Sequence, residues 1–329
     1  MKILIIGSND PEKTICAFSP EHIGQIKKIL PDAQITMADD PQEINRTLTD
    51  ADILIYDSGG FLAFDQLKIS DAKKLAWVHA TSAGVTDFAK ILTKTNILLT
   101  NSSGVHPIPI SETVLGYMLM FSRKLNLFYR NQIESKKWTR DRVNLRGEEL
   151  AGKTVGIVGY GRIGSEIGKI CAAVGMKVAV FKHDNKVDNK SADYVTSDLN
   201  ELLSASDFIV DALPLTPETQ GYFDKNKFEQ MSESAYFINI GRGKTVVEKD
   251  LIKALKNGII AGAGLDVFEV EPLPETSELW KLPNVILTPH ISGWSPNYAN
   301  RVINIFCDNL KAYLENQTMP TLVDKNRGY

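Results

Sequence analysis

The chain has 329 residues, 43% of them hydrophobic and 23% charged, with 37 Lys+Arg against 40 Asp+Glu for a formal net charge of −3. That length suits two domains rather than one core, and the charge balance gives no basic field to gather nucleic acid or anionic lipid, so small molecules are the expected partners. Cys16, Cys171 and Cys307 are too few and too scattered for a disulfide framework or metal cluster, no apolar run could span a bilayer, and the apolar opening Ile3 to Ile6 is too short for a signal-peptide core, so a soluble cytoplasmic protein is expected.

In chain order, the apolar runs KILIIG (2–7), ADILIY (51–56), KKLAWVHA (73–80) and NILLTN (96–101) alternate with amphipathic stretches such as HIGQIKKIL (22–30). This pattern predicts a parallel sheet covered on both faces. PIPISETVLGYMLMFSRKLN predicts a long helix that Pro109 helps to start and Ser111 caps. Its apolar Val114, Leu115, Met118, Leu119, Met120 and Phe121 occupy more than one face, as in a helix buried on several sides or in a subunit contact. A second alternating series begins at Lys153 with KTVGIVG, KVAVF, DFIVDAL, AYFINI, GIIAGAGLDVF and NVILTPH. Six strand-like runs of this kind describe a complete doubly wound domain. The segment NYANRVINIFCDNLKAYLENQ (297–317) reads as one amphipathic helix, and pattern alone does not decide which domain it joins.

TVGIVGYGRIGSEIG places Gly159, Gly161 and Gly164 in GxGxxG spacing between a β-branched run and a helical pattern, the context that dinucleotide binding needs. Gly159 suits a tight turn, Gly161 close approach of a pyrophosphate, and Gly164 close helix–strand packing, with a helix N-terminus facing the phosphates. In VFKHDN the residue after the strand ending at Phe181, where an acid would grip the ribose, is Lys182, with His183 beside it and Lys186 close by. These cations suit a 2′-phosphate, so NADP(H) is expected ahead of NAD(H), with Asp184 as the alternative ribose ligand.

INIGRGKTVVEKD puts Arg242 directly after a strand-like run, where its fork suits a carboxylate and flanking Gly241 and Gly243 leave room around its backbone. A surface loop arginine is the alternative. His290 closes NVILTPH and is the one histidine at a strand end in the second half. By contrast, His22 reads as a helix-surface residue, His79 as lying beside a loop, and His106 precedes a proline. Glu269 and Glu271 of DVFEVEPLP are candidate partners for His290, because a carboxylate on one ring nitrogen fixes the tautomer and favours the protonated ring.

Taken together, GYGRIG, ALPLTPET (212–219), INIGRG, AGLDVFEVEPLP and LTPHISG resemble the D-isomer-specific 2-hydroxyacid dehydrogenase family. WVHATSAGVTDF (77–88) and NSSGVHPIPISETVLGYML (101–119) extend the resemblance to essentially the whole chain. It implies an α/β fold of two doubly wound parallel-sheet domains: a flavodoxin-like substrate-binding domain at 1–101 and 296–329, and a Rossmann dinucleotide-binding domain at 102–295. The C-terminal helix would return to the first domain across a hinge near residues 102 and 295. The resemblance implies a catalytic triad of Arg242, Glu271 and His290, leaving Glu269 a neighbour. It implies that the backbone of Ala83 and Gly84, with Arg242, receives the substrate carboxylate. Cofactor contacts are implied at Arg162, Ile163, Leu213, Pro214, Thr219, Ile240 and Gly293, with Asp266 holding the nicotinamide carboxamide. A homodimer burying the helix after Pro109 is expected as well.

The expected reaction is reversible hydride transfer between NAD(P)H and a 2-oxo acid, giving the D-2-hydroxy acid, with no metal required. Arg242 would bind the carboxylate and polarise the 2-oxo group, His290 would supply the proton, and domain closure would exclude water. The alternative is a redox-sensing binding module with incidental turnover, which has no need of an acid paired to a carboxylate. Formate dehydrogenases carry glutamine where Glu271 stands, and the longer phosphoglycerate dehydrogenases carry a further regulatory domain, for which this sequence has no counterpart. Residues near Tyr56, Gly59 and Ser82 are expected to shape the substrate pocket, whose size the pattern does not give.

Overall fold

The computed structural model describes residues 1–57, 61–136, 138, 140, 146–182 and 191–327; Gly59, His183, Asp184 and Lys186 lie outside the described residues. The chain divides into two compact units, one formed by Met1–His106 with Trp294–Tyr329 and the other by Pro107–Gly293. Residues 102–106 and 294–295, expected in the nucleotide-binding domain, therefore lie in the first unit. Among the described residues no helix is long and apolar enough to cross a membrane.

The first unit holds strands β1 (Lys2–Ile6), β2 (Gln34–Ala38), β3 (Ile53–Tyr56), β4 (Trp77–Ala80) and β5 (Leu98–Thr100), all parallel in the order β2-β1-β3-β4-β5. This is the flavodoxin-like order. Helices α1 (Pro20–Ile29), α2 (Pro41–Leu48) and α3 (Thr86–Leu92) belong to the same unit. Asp40 starts α2 by accepting from the Gln42 and Glu43 N–H groups, ahead of a helical proline at Pro41. The helix Tyr298–Leu314 packs on α1 and buries Val302, Ile303, Phe306 and Leu310, with Phe306 stacked on Trp77 at 5.0 Å between ring centroids. Thr321 ties the following tail to this unit by donating to the Asn101 carbonyl at 2.6 Å.

Two histidines differ from expectation. His22 is buried rather than on a helix surface: its Nδ1 accepts from the Ser19 N–H at 2.9 Å and its Nε2 meets Asn300 at 2.8 Å. His79 lies in β4, not beside a loop, and is wholly enclosed between Thr100 and Ser102, where burial pushes its pKa down to about 3.

The second unit contains a seven-stranded parallel sheet. Its strands are β6 (Thr154–Val158), β7 (Lys177–Phe181), β8 (Tyr194–Thr196), β9 (Phe208–Asp211), β10 (Tyr236–Asn239), β11 (Gly262–Leu265) and β12 (Val285–Leu287). The order is β12-β11-β10-β9-β6-β7-β8, the Rossmann arrangement with one strand added at an edge. Its helices are α4 (Pro107–Ser122), α5 (Leu125–Glu134), α6 (Arg162–Ala173), α7 (Leu199–Ala205), α8 (Lys225–Glu229) and α9 (Glu248–Lys256).

The expected long helix is two helices. It begins at Pro107 rather than Pro109, and Ser111 is not its cap but the fifth helical residue, whose hydroxyl donates to the Ile108 carbonyl at 2.8 Å. Lys124 adopts φ 58 in the left-handed region, which ends α4 and restarts the chain as α5. Ile110, Val114, Tyr117, Met118 and Phe121 of α4 join a core with Ile167 and Cys171 of α6. Each apolar side chain enclosed this way contributes about 1.5–3 kcal/mol. That face of α4 is therefore occupied within its own unit; Ile108 and Leu119 of α4 stay exposed, and a longer exposed apolar stripe continues along α5 through Leu125, Phe128, Tyr129 and Ile133.

Candidate active site

The carboxyl ends of β6, β7, β9, β10, β11 and β12 lie along one edge of the second sheet, because every pairing in it is parallel. The chain reverses its direction of travel at β6, which sits between β7 and β9, and ligands of such sheets bind at that switch. Gly159 turns the chain there at φ 100, and a Cβ on it would stand 2.7 Å from the Ala212 carbonyl. A Cβ on Gly164 would meet the Gly159 carbonyl oxygen at 2.3 Å, so helix and turn touch backbone to backbone. Around Gly161, by contrast, no described atom comes within 4 Å of a Cβ position. Gly161 also brings no side-chain cap to α6, leaving a bare helix N-terminus beside open space. The cradle fits a dinucleotide pyrophosphate.

Arg162 is exposed and Ile163 half-buried at the start of α6. Lys182 follows β7 directly, half-buried, with its N–H donating to the Thr196 carbonyl. Beyond β9, the Leu213 N–H donates to Asp211 at 3.0 Å, and Thr219 closes the loop by donating to the Pro214 carbonyl at 2.6 Å. Ile240 is buried beneath the next loop, and Gly293 ends the second unit.

Arg242 is the third residue after β10 and is exposed. The glycines beside it serve a different purpose from the expected spare room. A Cβ on Gly241 would come 2.6 Å from the Leu213 carbonyl oxygen, and one on Gly243 would overlap the Phe268 carbonyl at 1.8 Å. The loop is thus wedged between two backbones. Arg242 Nη1 donates to the Gly241 carbonyl at 2.7 Å, and the Arg242 carbonyl accepts from Asn239 Nδ2 at 3.2 Å and from the Thr245 N–H at 3.1 Å.

His290 Nδ1 stands 2.7 Å from Glu271 Oε2, while Glu271 Oε1 accepts from the Phe268 N–H at 3.0 Å. Glu269 points elsewhere: it is exposed, and its own N–H donates to Glu248 at 3.1 Å. His290 adopts φ 55, a left-handed conformation that a residue with a Cβ holds only at a cost of about 1–2 kcal/mol. Asp266 secures that turn. Its nearly buried carboxylate accepts from Thr288 Oγ1 at 2.5 Å, from the Ile291 N–H at 3.0 Å, and from the N–H and hydroxyl of Ser292. Tyr117, which pattern reading assigned no role, reaches Thr288 Oγ1 at 2.5 Å, and burial pushes its phenol up. Beside His290 and Glu271 opens an apolar cleft of about 630 Å³ lined by Phe268, Leu273, Trp280 and Leu287.

In the first unit, Ala83 and Gly84 lie in the loop between β4 and α3. Their carbonyls accept from Asn101 Nδ2 and Ser82 Oγ, both at 2.9 Å. Among the described residues no acceptor takes up either N–H. Tyr56 is buried, its hydroxyl donating to the Leu62 carbonyl at 2.9 Å.

Residues 115–292 match the family described as D-isomer specific 2-hydroxyacid dehydrogenase, NAD binding domain. A glyoxylate reductase of Thermofilum pendens is 33% identical over 293 residues, covering 86% of this chain and 84% of that one. A solved D-isomer specific 2-hydroxyacid dehydrogenase family protein from Aeromonas salmonicida aligns with a TM-score of 0.83 and 30% identity over 98% of this chain and 99% of its own. An NADPH-dependent glyoxylate/hydroxypyruvate reductase from Sinorhizobium meliloti, solved with NADP and sulfate, aligns at 0.80 with 28% identity over 100% of this chain and 99% of its own.

Proposed function

The chain belongs to the D-isomer specific 2-hydroxyacid dehydrogenase family, and from that membership we propose that it reduces a small 2-oxo acid, such as glyoxylate or hydroxypyruvate, using NADPH. Where the product is chiral it is the D-2-hydroxy acid. The observation that carries this reading is the His290–Glu271 contact at 2.7 Å, placed on the same sheet edge as Arg242 and the glycine cradle. A redox-sensing module would have no use for an imidazole held on a carboxylate.

The Gly159–Gly164 turn would hold the pyrophosphate of a nicotinamide dinucleotide and the loops after β7, β9 and β10 the rest of it, and that cofactor would supply the hydride. Arg242 binds the substrate carboxylate with its fork and polarises the 2-oxo group. Glu271, anchored by the Phe268 N–H, holds Nδ1 of His290 protonated and so turns Nε2 toward the forming alkoxide, to which it gives its proton. In the oxidative direction the neutral ring takes the proton back. Asp266, pinned to Thr288 and Ser292, fixes the turn on which His290 rides, and it is proposed to hold the nicotinamide carboxamide.

NADP(H) is the favoured cofactor because Lys182 occupies the position where an acid would repel a 2′-phosphate, and because a structural relative was solved with NADP. A homodimer formed through the apolar stripe of α5 accounts for the exposure of Tyr129 at 65% and Ile133 at 60%. The site is proposed to work in the cytoplasm. Following NADPH and NADH oxidation with glyoxylate, hydroxypyruvate, pyruvate and longer 2-oxo acids tests the assignment; no turnover with any of them would remove it.

A further inference from the structure

Beneath the Arg242 loop, Thr245 Oγ1 lies 2.5 Å from Asp211 Oδ2 and 2.6 Å from the Arg242 carbonyl oxygen. Oxygens this close need a proton between them. Two such contacts need two protons. The Thr245 hydroxyl carries one and the Arg242 carbonyl carries none, so the second sits on Asp211. The order that satisfies every atom runs from the Asp211 acid proton to Thr245 Oγ1, and from the Thr245 hydroxyl proton to the Arg242 carbonyl. The remaining oxygen, Asp211 Oδ1, accepts from the Leu213 N–H.

We propose that Asp211 is a positioning residue carried as the neutral acid, which through Thr245 holds the Arg242 loop in the form that binds the substrate carboxylate. The reading rests on the assignment of Arg242 as the carboxylate-binding residue.

The surroundings agree. Asp211 is fully enclosed at the end of β9. The flanking strands present Val158 from β6 and Asn239 from β10, both neutral, and Asn239 is already engaged with Gly241 and Arg242. Tyr222 is the titratable group that faces it, its phenol raised first by burial and then by Asp211. Among the described residues no cation pairs with Asp211. Burial pushes the Asp211 carboxyl up to about 7 against the opposing bonds from Thr245 and Leu213.

Ionisation would turn the single Thr245 proton toward Asp211. The Arg242 carbonyl would then face a bare oxygen at 2.6 Å and be driven off it, keeping only the longer bonds from Asn239 and the Thr245 N–H. Because Arg242 Nη1 is tied to the Gly241 carbonyl in the same short loop, the guanidinium moves with it.

The test is the KM for glyoxylate at saturating NADPH between about pH 5 and pH 9, read separately from kcat. Wild type should show a KM that rises as the pH passes neutrality. In Asp211→Asn the amide donates to Thr245 at every pH, so that rise should vanish. Thr245→Val should raise KM about tenfold at low pH and flatten its pH dependence. A KM rise that persists unchanged in Asp211→Asn overturns the proposal.

Stability gives a readout independent of turnover. A carboxyl whose folded pKa lies above its unfolded value favours the fold below the unfolded pKa and loses that contribution as pH rises toward the folded one. The Tm of Asp211→Asn minus that of wild type should therefore grow from about pH 5 to pH 8. A constant difference overturns the proposal whatever the activity. A growing difference in a chain that turns over no 2-oxo acid leaves the neutral Asp211 standing and removes the functional reading instead.

Discussion

The imidazole of His290 and the carboxylate of Glu271 meet at 2.7 Å through Nδ1 and Oε2, and the other oxygen of Glu271 is held by the Phe268 N–H. The ring is therefore fixed in tautomer and direction by a group that is itself fixed. His290→Ala should lower kcat by about 10²–10⁴-fold while cofactor affinity barely changes. Stopped-flow turnover together with NADPH fluorescence titration checks both halves, and near-normal turnover would remove His290 from the mechanism.

Glu271 fixes the imidazole of His290 through Nδ1, whereas Glu269 touches Glu248 and not His290. Glu271→Gln should therefore lower kcat about tenfold or more with KM little changed. Glu269→Gln should leave both constants in place; steady-state kinetics of the two variants checks this, and an exchange of behaviour between them would contradict the geometry.

Lys182→Asp should shift preference from NADPH toward NADH by about tenfold in kcat/KM, or about 1.4 kcal/mol. Paired kinetics with the two reduced cofactors reads this directly. A wild-type enzyme that clearly prefers NADH would sink the choice of cofactor without touching the choice of reaction.

Gly243→Ala places a methyl where the Phe268 carbonyl already stands. Backbone cannot step aside as a side chain can, so the fold should lose about 1–3 kcal/mol or more and kcat/KM should fall with it. Thermal unfolding and kinetics measure the two effects, and an unchanged Tm would show that the loop has slack.

The apolar stripe on α5 predicts a dimer at micromolar concentration in analytical ultracentrifugation. Replacing Tyr129 and Ile133 with Ser together should yield monomers of unchanged far-UV circular dichroism, since both side chains are largely exposed within the unit.

What the sequence made legible follows burial. Strands covered on both faces, such as β1, β6 and β9, carry unbroken apolar runs and stand out from pattern. The two strands that pattern missed, β2 and β8, both lie at sheet edges, and QITMA alternates exposed with half-buried residues. His22 and His79 were misread for another reason. Their partners Asn300, Thr100 and Ser102 come from distant segments that local periodicity cannot see. The glycine turn, Arg242 and His290 were readable because each follows closely on a strand-like run, and parallel pairing gathers such ends on one edge, whereas only the family resemblance separated Glu271 from Glu269. The Asp211–Thr245 contact was not readable, although an acid closing the run FIVD was a signal that could have been weighed.

The stacking of Trp77 on Phe306 has a consequence for how the chain is made. A ribosome delivers the β1–β5 segment early, but the helix that must cover Trp77, Ile26 and Ile55 is delivered only after the whole of Pro107–Gly293. During synthesis the second unit has all its own residues in hand and is free to fold as a contiguous piece. The first unit waits meanwhile with an uncovered apolar sheet face, the surface a chaperone would recognise on a nascent chain. The part begun first is the part completed last.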